Sequence, residues 1–215
     1  MSGPLLAVVA GYLLGSVPFG LVLTKMAGLG DIRTIGSGNI GATNVLRTGN
    51  KFLAALTLVL DGGKGAIAVL GLGYAFPDAP TLSLMGGFAA VLGHNFPVWL
   101  KFKGGKGVAT TLGTLVAASP MIGIAACATW LAVAAIFRIS SLSALVALGL
   151  SPVFAWFWVG PDMATLAAAL AVLSFIRHHQ NIRRLMKGEE PRIGRSKSKS
   201  TPKADDTAGP SAGGA

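Results

Sequence analysis

Seven apolar stretches alternate with polar intervals along this chain, at residues 3–24, 52–76, 81–100, 107–118, 121–137, 142–159 and 163–176. The first three have the length, about 20 residues, that carries a helix across a bilayer. The runs at 107–118 and 163–176 are short. The breaks fall where helices end or restart: PDAP at 77–80, Ser119-Pro120, Arg138 to Ser143, and Gly160-Pro161-Asp162. The pattern predicts an all-α, polytopic membrane helix bundle, with seven transmembrane helices. A cleaved leader is the competing reading of residues 3–24. No basic segment precedes them and no A-x-A site follows, so we expect a retained first helix.

Charge orients this bundle. With the N-terminus outside, all eighteen Lys and Arg fall on the cytoplasmic side, apart from Lys64 within its span, and the C-terminus is cytoplasmic. Asp78 and Asp162 fall outside. A five-span arrangement fusing 107–137 places Arg138 outside, so seven spans are preferred. Residues 1–194 form the expected membrane-embedded domain. The low-complexity stretch RSKSKSTPKADDTAGPSAGGA, 195–215, has nothing to bury and is expected to be disordered.

Composition narrows the class. Charged residues make up 12% of the chain, half the value of about 25% in soluble domains, and thirty glycines suit close helix packing in lipid. The net charge of +10 does not indicate nucleic acid, because the basic residues flank apolar segments. The lone cysteine, Cys127, excludes an intrachain disulfide. Three histidines without HxxxH or HExxH spacing argue against a metal site. We expect no cofactor.

Three polar intervals carry the chemistry. HNFPVWLKFKGGKGVATT, 94–111, sets Lys101, Lys103 and Lys106 among Gly104, Gly105 and Gly107. Glycines let successive amides point at one ligand, and a helix starting near Gly107 adds partial positive charge there, which suits a phosphate. The same lysines also satisfy the positive-inside rule. Residues 25–51 are rich in Gly, Ser, Thr and Asn, and the partly apolar segment Ile35 to Leu46 favours a folded element at the membrane surface. The third interval, 177–194, is basic. On one face these intervals bring Ser37, Asn39, Thr43, Asn44, Arg47, Lys106, His178 and Asn181, almost without carboxylates, as befits an anion site. Ser37 would serve equally as a cap, and the histidines as headgroup contacts. Asp61 and Lys64, three apart, are expected to pair structurally inside a span.

The segments GSGNIGATNVLR (36–47), GHNFPVWLKFKGGKGVATTLG (93–113) and RHHQNIRRLMKGEEP (177–191) resemble the three motifs of the bacterial acyl-phosphate:glycerol-3-phosphate 1-acyltransferases. The resemblance runs over residues 3 to 193. It implies transfer of a fatty acyl group from acyl phosphate to the 1-hydroxyl of glycerol 3-phosphate at the inner membrane, giving lysophosphatidate and phosphate. It implies catalytic roles for Ser37, Arg47, Lys106, His178 and Asn181. Gly104, Gly105, Lys106 and Gly107 would bind phosphate, with Asn39, Thr43 and Asn44 contributing. Glu190 takes the family's structural glutamate position, and Asp61 and Lys64 its DxxKG pair.

An acyl phosphate is already activated, so ordering and charge neutralisation can supply much of the rate. Either His178 or a substrate phosphate takes the proton. No acyl-Ser37 intermediate is needed. Glycerol 3-phosphate, acyl phosphate and the bilayer are the expected partners of a monomer. The rival is a transporter or flippase for a phosphorylated solute, which predicts substrate accumulation in vesicles and an internal repeat with broken helices at the membrane midplane. The only charges at that depth are Asp61 and Lys64.

Overall fold

The computed structural model describes residues 2–194; the tail at 195–215 lies outside the described residues. The described chain is all α-helix and short 3-10 turns, with no strand among the described residues. Helices α1 (Gly3–Gly15) and α2 (Phe19–Met26) are followed by a folded loop containing α3 (Ala42–Val45). Then come α4 (Lys51–Ala75), α5 (Pro80–Asn95), α6 (Val108–Ala118), α7 (Pro120–Phe137), α8 (Ser140–Trp158), α9 (Pro161–Arg177) and α10 (His179–Met186).

Helical segments occupy all seven apolar stretches. Four are long and apolar enough to cross a membrane by length and composition: Gly3–Met26, Lys51–Ala75, Pro120–Phe137 and Ser140–Trp158. The others are shorter, α6 having only 11 residues. At 1.5 Å per residue that is about 16 Å, half the thickness of the hydrocarbon core. The large side chains left outside are apolar: Phe157 is 77% exposed and Ile136 72%. Such a surface belongs in lipid rather than water, and the chain is a multi-pass membrane protein.

The first apolar stretch is not one helix, as its sequence suggests. Pro18 lacks an N–H and interrupts it between Gly15 and Phe19. The Val17 carbonyl at the break accepts from Lys64 Nζ at 2.8 Å. Pro152 sits inside α8 without breaking it, because Ser151 Oγ donates to the Leu148 carbonyl that a residue-152 amide would have served.

Backbone proximity, rather than large side chains, brings the central helices together. A Cβ on Gly15 would collide with the Ala90 backbone, joining α1 to α5, and one on Gly113 would collide with Gly62, joining α6 to α4. The main core is apolar and lies among α5 to α9, around Val91, Leu115, Ile122, Leu148, Leu166 and Leu170. A second cluster holds the 27–50 loop down: Ile32, Ile40 and Val45 pack against Leu21, Leu53 and Ala54. The segment Ile35 to Leu46 is therefore a folded element.

Candidate active site

The site is assembled at the end of the bundle where α4 begins and α5 and α9 finish. In the first interval, Asn44 is the hub and is 1% exposed. Its Nδ2 donates to the Ile32 and Ile35 carbonyls at 2.7 and 3.2 Å. Its Oδ1 accepts from the Ser37 amide at 3.1 Å, the Ser37 hydroxyl at 3.4 Å and Arg47 Nη1 at 3.2 Å. Asn44 thus spends its hydrogen-bonding capacity inside the loop. It positions Ser37 and Arg47 instead of presenting its own amide to a phosphate. Gly36 turns the chain at φ +56°, where a Cβ would meet the Arg47 and Asn44 side chains. Asn39 Oδ1 accepts the neighbouring Ile40 amide at 3.0 Å, and Thr43 faces Ser140 at 3.5 Å.

The second interval is irregular backbone next to a short helix, and each exposed carbonyl or amide there needs a partner. Tyr12 donates its hydroxyl to the Phe96 carbonyl at 2.7 Å. The Gly104 and Gly105 amides donate to the Asn95 and His94 carbonyls at 3.2 and 3.0 Å. These two amides are committed to the end of α5 and do not point at a ligand. Both positions need glycine for closeness: a Cβ on Gly104 would strike the His94 carbonyl, and one on Gly105 the His94 ring. Gly107, at φ +76°, then caps α6. Beyond Gly105, among the described residues, the Lys106 and Gly107 amides have no backbone acceptor. They continue into the unpaired first-turn amides of α6, so the donors converge one step later in the sequence than the glycine run implies.

The third interval places His178 on the turn between α9 and α10 and Asn181 in the first turn of α10, 2% and 4% exposed. His178 Nδ1 donates to the Ser174 carbonyl at 2.8 Å, which leaves Nε2 as the acceptor. Burial, with Lys106 and Arg177 nearby, pushes the imidazole down to about 4 against the pull of Glu190 and the Ser174 bond. It is neutral at physiological pH. Asn181 Nδ2 donates to Glu190 Oε1 at 2.5 Å, while its buried Oδ1 has no partner among the described residues. Glu190 also accepts from Ser141 at 2.7 Å and from Arg184 at 2.6 Å. Burial would raise its carboxyl, but these bonds outweigh burial and hold it below the usual range.

The second and third intervals touch, Arg177 Nη2 donating to the Gly104 and Gly105 carbonyls at 3.0 Å, and the first acts on them through its charge. Burial, first, pushes the Lys106 ammonium down to about 8; Glu190 opposes this, and Arg184, Arg47 and Arg177 reinforce it. Arg47, Lys106 and the 177–190 segment therefore share one field. Asp61 and Lys64 do pair, at 2.9 Å, both 2% exposed, with His94 Nδ1 3.6 Å from the same carboxylate oxygen. Sequence reasoning missed Arg177, Ser141 and the His94 floor beneath Gly105. Only Arg177 had a signal, its place directly before His178.

Among the described residues no three His, Cys, Asp or Glu side chains gather as a metal site. The donors are cations, amides and a neutral imidazole, with one carboxylate already bonded to three partners. Such a site can hold phosphate, orient a hydroxyl and accept its proton.

The comparisons agree with that chemistry. The family model described as glycerol-3-phosphate acyltransferase matches residues 5–188. A relative of that name from Paramagnetospirillum magneticum is 68% identical over 191 residues, covering 89% of this chain and 94% of its own. Another from Rhodospirillum rubrum is 62% identical, covering 87% and 90%. The crystal structure of PlsY (YgiH), an integral membrane glycerol 3-phosphate acyltransferase, in its glycerol 3-phosphate form, superposes with a TM-score of 0.83 at 38% identity, covering 89% of this chain and 96% of that one. Its lysophosphatidic acid form gives 0.82. With a family match across nearly all the described helices and relatives this similar at full length, this chain belongs to the glycerol-3-phosphate acyltransferase family.

Proposed function

We propose that this chain moves a fatty acyl group from an acyl phosphate to the 1-hydroxyl of glycerol 3-phosphate. The hydroxyl oxygen attacks the acyl carbonyl carbon, the bond from that carbon to the phosphate oxygen breaks, and lysophosphatidate and inorganic phosphate leave. The observation that carries this reading is the Lys106 and Gly107 amides with no backbone acceptor among the described residues, on a loop that Arg177 ties to His178, with the charge of Arg47 acting on Lys106. The names of the relatives and of the two PlsY forms support the same substrate and product.

Lys106 with its own amide and that of Gly107 holds one phosphate. Ser37, Arg47 and Asn181 position the other substrate, the Asn181 Oδ1 accepting a hydroxyl. The hydroxyl proton goes to His178 Nε2 or to a substrate phosphate. Because the donor is already activated, holding the two reactants together and neutralising phosphate charge lowers most of the barrier. Asn39 and Thr43 line the approach to the first cluster, and Asp61–Lys64 and Glu190 hold structure.

The site opens to the cytoplasm in a monomer of the inner membrane. The exposed Lys101, Lys103, Arg183 and Lys187 cluster at the same helix ends, as the positive-inside rule demands. Purified protein in detergent or lipid, given acyl phosphate and labelled glycerol 3-phosphate, should release lysophosphatidate and phosphate in equal amounts. Turnover with acyl-CoA alone would overturn the donor assignment, and uptake of glycerol 3-phosphate into vesicles without acylation would favour transport.

A further inference from the structure

Arg177 ends α9, directly before His178, and its side chain turns back under the glycine loop. Nε donates to the Gly105 carbonyl at 3.1 Å, and Nη2 donates to the Gly105 and Gly104 carbonyls, both at 3.0 Å. The guanidinium carbon stacks 5.0 Å from the centre of the Phe96 ring. Among the described residues no carboxylate forms a salt bridge with it.

In a trans peptide the carbonyl and the following N–H point to opposite sides. With the Gly105 carbonyl held by Arg177, the Lys106 N–H faces away from Arg177, and among the described residues it is the first amide of the Gly104–Gly107 run without a backbone acceptor. A cation on the carbonyl also polarises the peptide and makes that N–H a stronger donor. The fork therefore sets the Gly105–Lys106 peptide plane. Because the next residue is His178, the same side chain ties that plane to the imidazole.

We propose that Arg177 is a positioning residue: it aims the Lys106 amide at a phosphate and sets the spacing between that phosphate and His178. This deepens the acyl-transfer reading and rests on it for the identity of the ligand. A lysine here would keep the charge but not the planar fork, which must reach two carbonyls at once.

The test compares Arg177→Lys and Phe96→Leu with the parent in detergent. It measures the dissociation constant for inorganic phosphate by calorimetry, KM for each substrate and the thermal midpoint. Lys106→Ala first identifies which KM depends on the loop. In Arg177→Lys, phosphate affinity and that same KM should worsen about tenfold to a hundredfold, the value of hydrogen bonds to a charged group. The other KM should stay within twofold and the midpoint within a few degrees. Phe96→Leu, which loosens the fork without removing it, should show a smaller change in the same constants. Unchanged phosphate affinity in Arg177→Lys, or both KM values rising together with a fallen midpoint, would overturn the proposal. If the parent binds phosphate but does not acylate glycerol 3-phosphate, the reaction assignment falls, while the phosphate measurements still decide the role of Arg177.

Discussion

The Ser174 carbonyl accepts a hydrogen bond from His178 Nδ1 across 2.8 Å, one turn along the same chain. That contact selects the tautomer with Nε2 bare, and burial keeps the ring neutral, its titration pushed down to about 4. The acid limb of kcat/KM assigned to the enzyme should therefore lie near pH 4, well below the ordinary histidine value. A limb near pH 6 would belong to the second ionisation of a substrate phosphate. Replacing His178 by Ala should abolish the lower limb. Full activity in that variant would transfer the base role to the substrate. Stability follows the same ionisation: between about pH 4 and the ordinary 6.5 the unfolded chain binds more protons than the fold, so stability falls as pH drops through that window.

The alkaline limb should come from Lys106, whose ammonium titrates near 8 in the unliganded protein. Loss of its proton removes the charge that holds phosphate, so kcat/KM should decline above pH 8. Lys106→Arg keeps the cation to far higher pH, and its profile should stay flat there, at a lower plateau because the fork does not fit a lysine site. Lys106→Ala should turn over far more slowly, with KM still measurable, while remaining folded. Rate profiles and thermal midpoints of the three proteins would check this.

Asn44 is a scaffold for two candidate catalytic groups. Asn44→Ala strips partners from the Ile32 and Ile35 carbonyls and from Ser37 and Arg47. The expected cost is about 1–3 kcal/mol for each buried group left unsatisfied. Activity should fall with stability, unlike Lys106→Ala. Parallel thermal melts and rate assays would separate the two classes; an Asn44→Ala protein that melts normally but fails to bind phosphate would make Asn44 a direct ligand.

Lys64→Met leaves the Asp61 carboxylate buried without its cation, and removing one member of a buried pair costs about 3–5 kcal/mol. Combining it with Asp61→Leu should recover most of the loss. Melting of single and double variants in one detergent tests the coupling. A double variant no more stable than Lys64→Met would show that the pair serves more than mutual neutralisation.

Two glycines should respond in opposite ways. At Gly63 a Cβ meets nothing within 4 Å, so Gly63→Ala should be neutral or gain up to about 1 kcal/mol of helix propensity. At Gly105 the Cβ strikes the His94 ring, and the loop must move. Gly105→Ala should lose activity and melt earlier than the parent.

The sequence by itself determined the class of the molecule and the three segments that carry its candidate site. Apolar runs divided by Pro and Gly must become lipid-embedded helices, because every backbone group in hydrocarbon has to be satisfied locally. The motif segments around Ser37, Lys106 and His178 carry residue types that are legible without coordinates. The pairing of Asp61 with Lys64 was legible too, because a three-residue spacing is a short-range property of one helix. What only the tertiary structure decided is which donors are free. Asn44 looked like a ligand and is a hub, and the Gly104 and Gly105 amides looked available and are committed to the end of α5. Arg177, one more basic residue in a basic interval, becomes the clamp on a loop 72 residues away. A hydrogen-bond partner across such separations depends on how whole helices cross, through contacts such as Gly15 on Ala90 and Gly62 on Gly113, and no local pattern encodes that crossing.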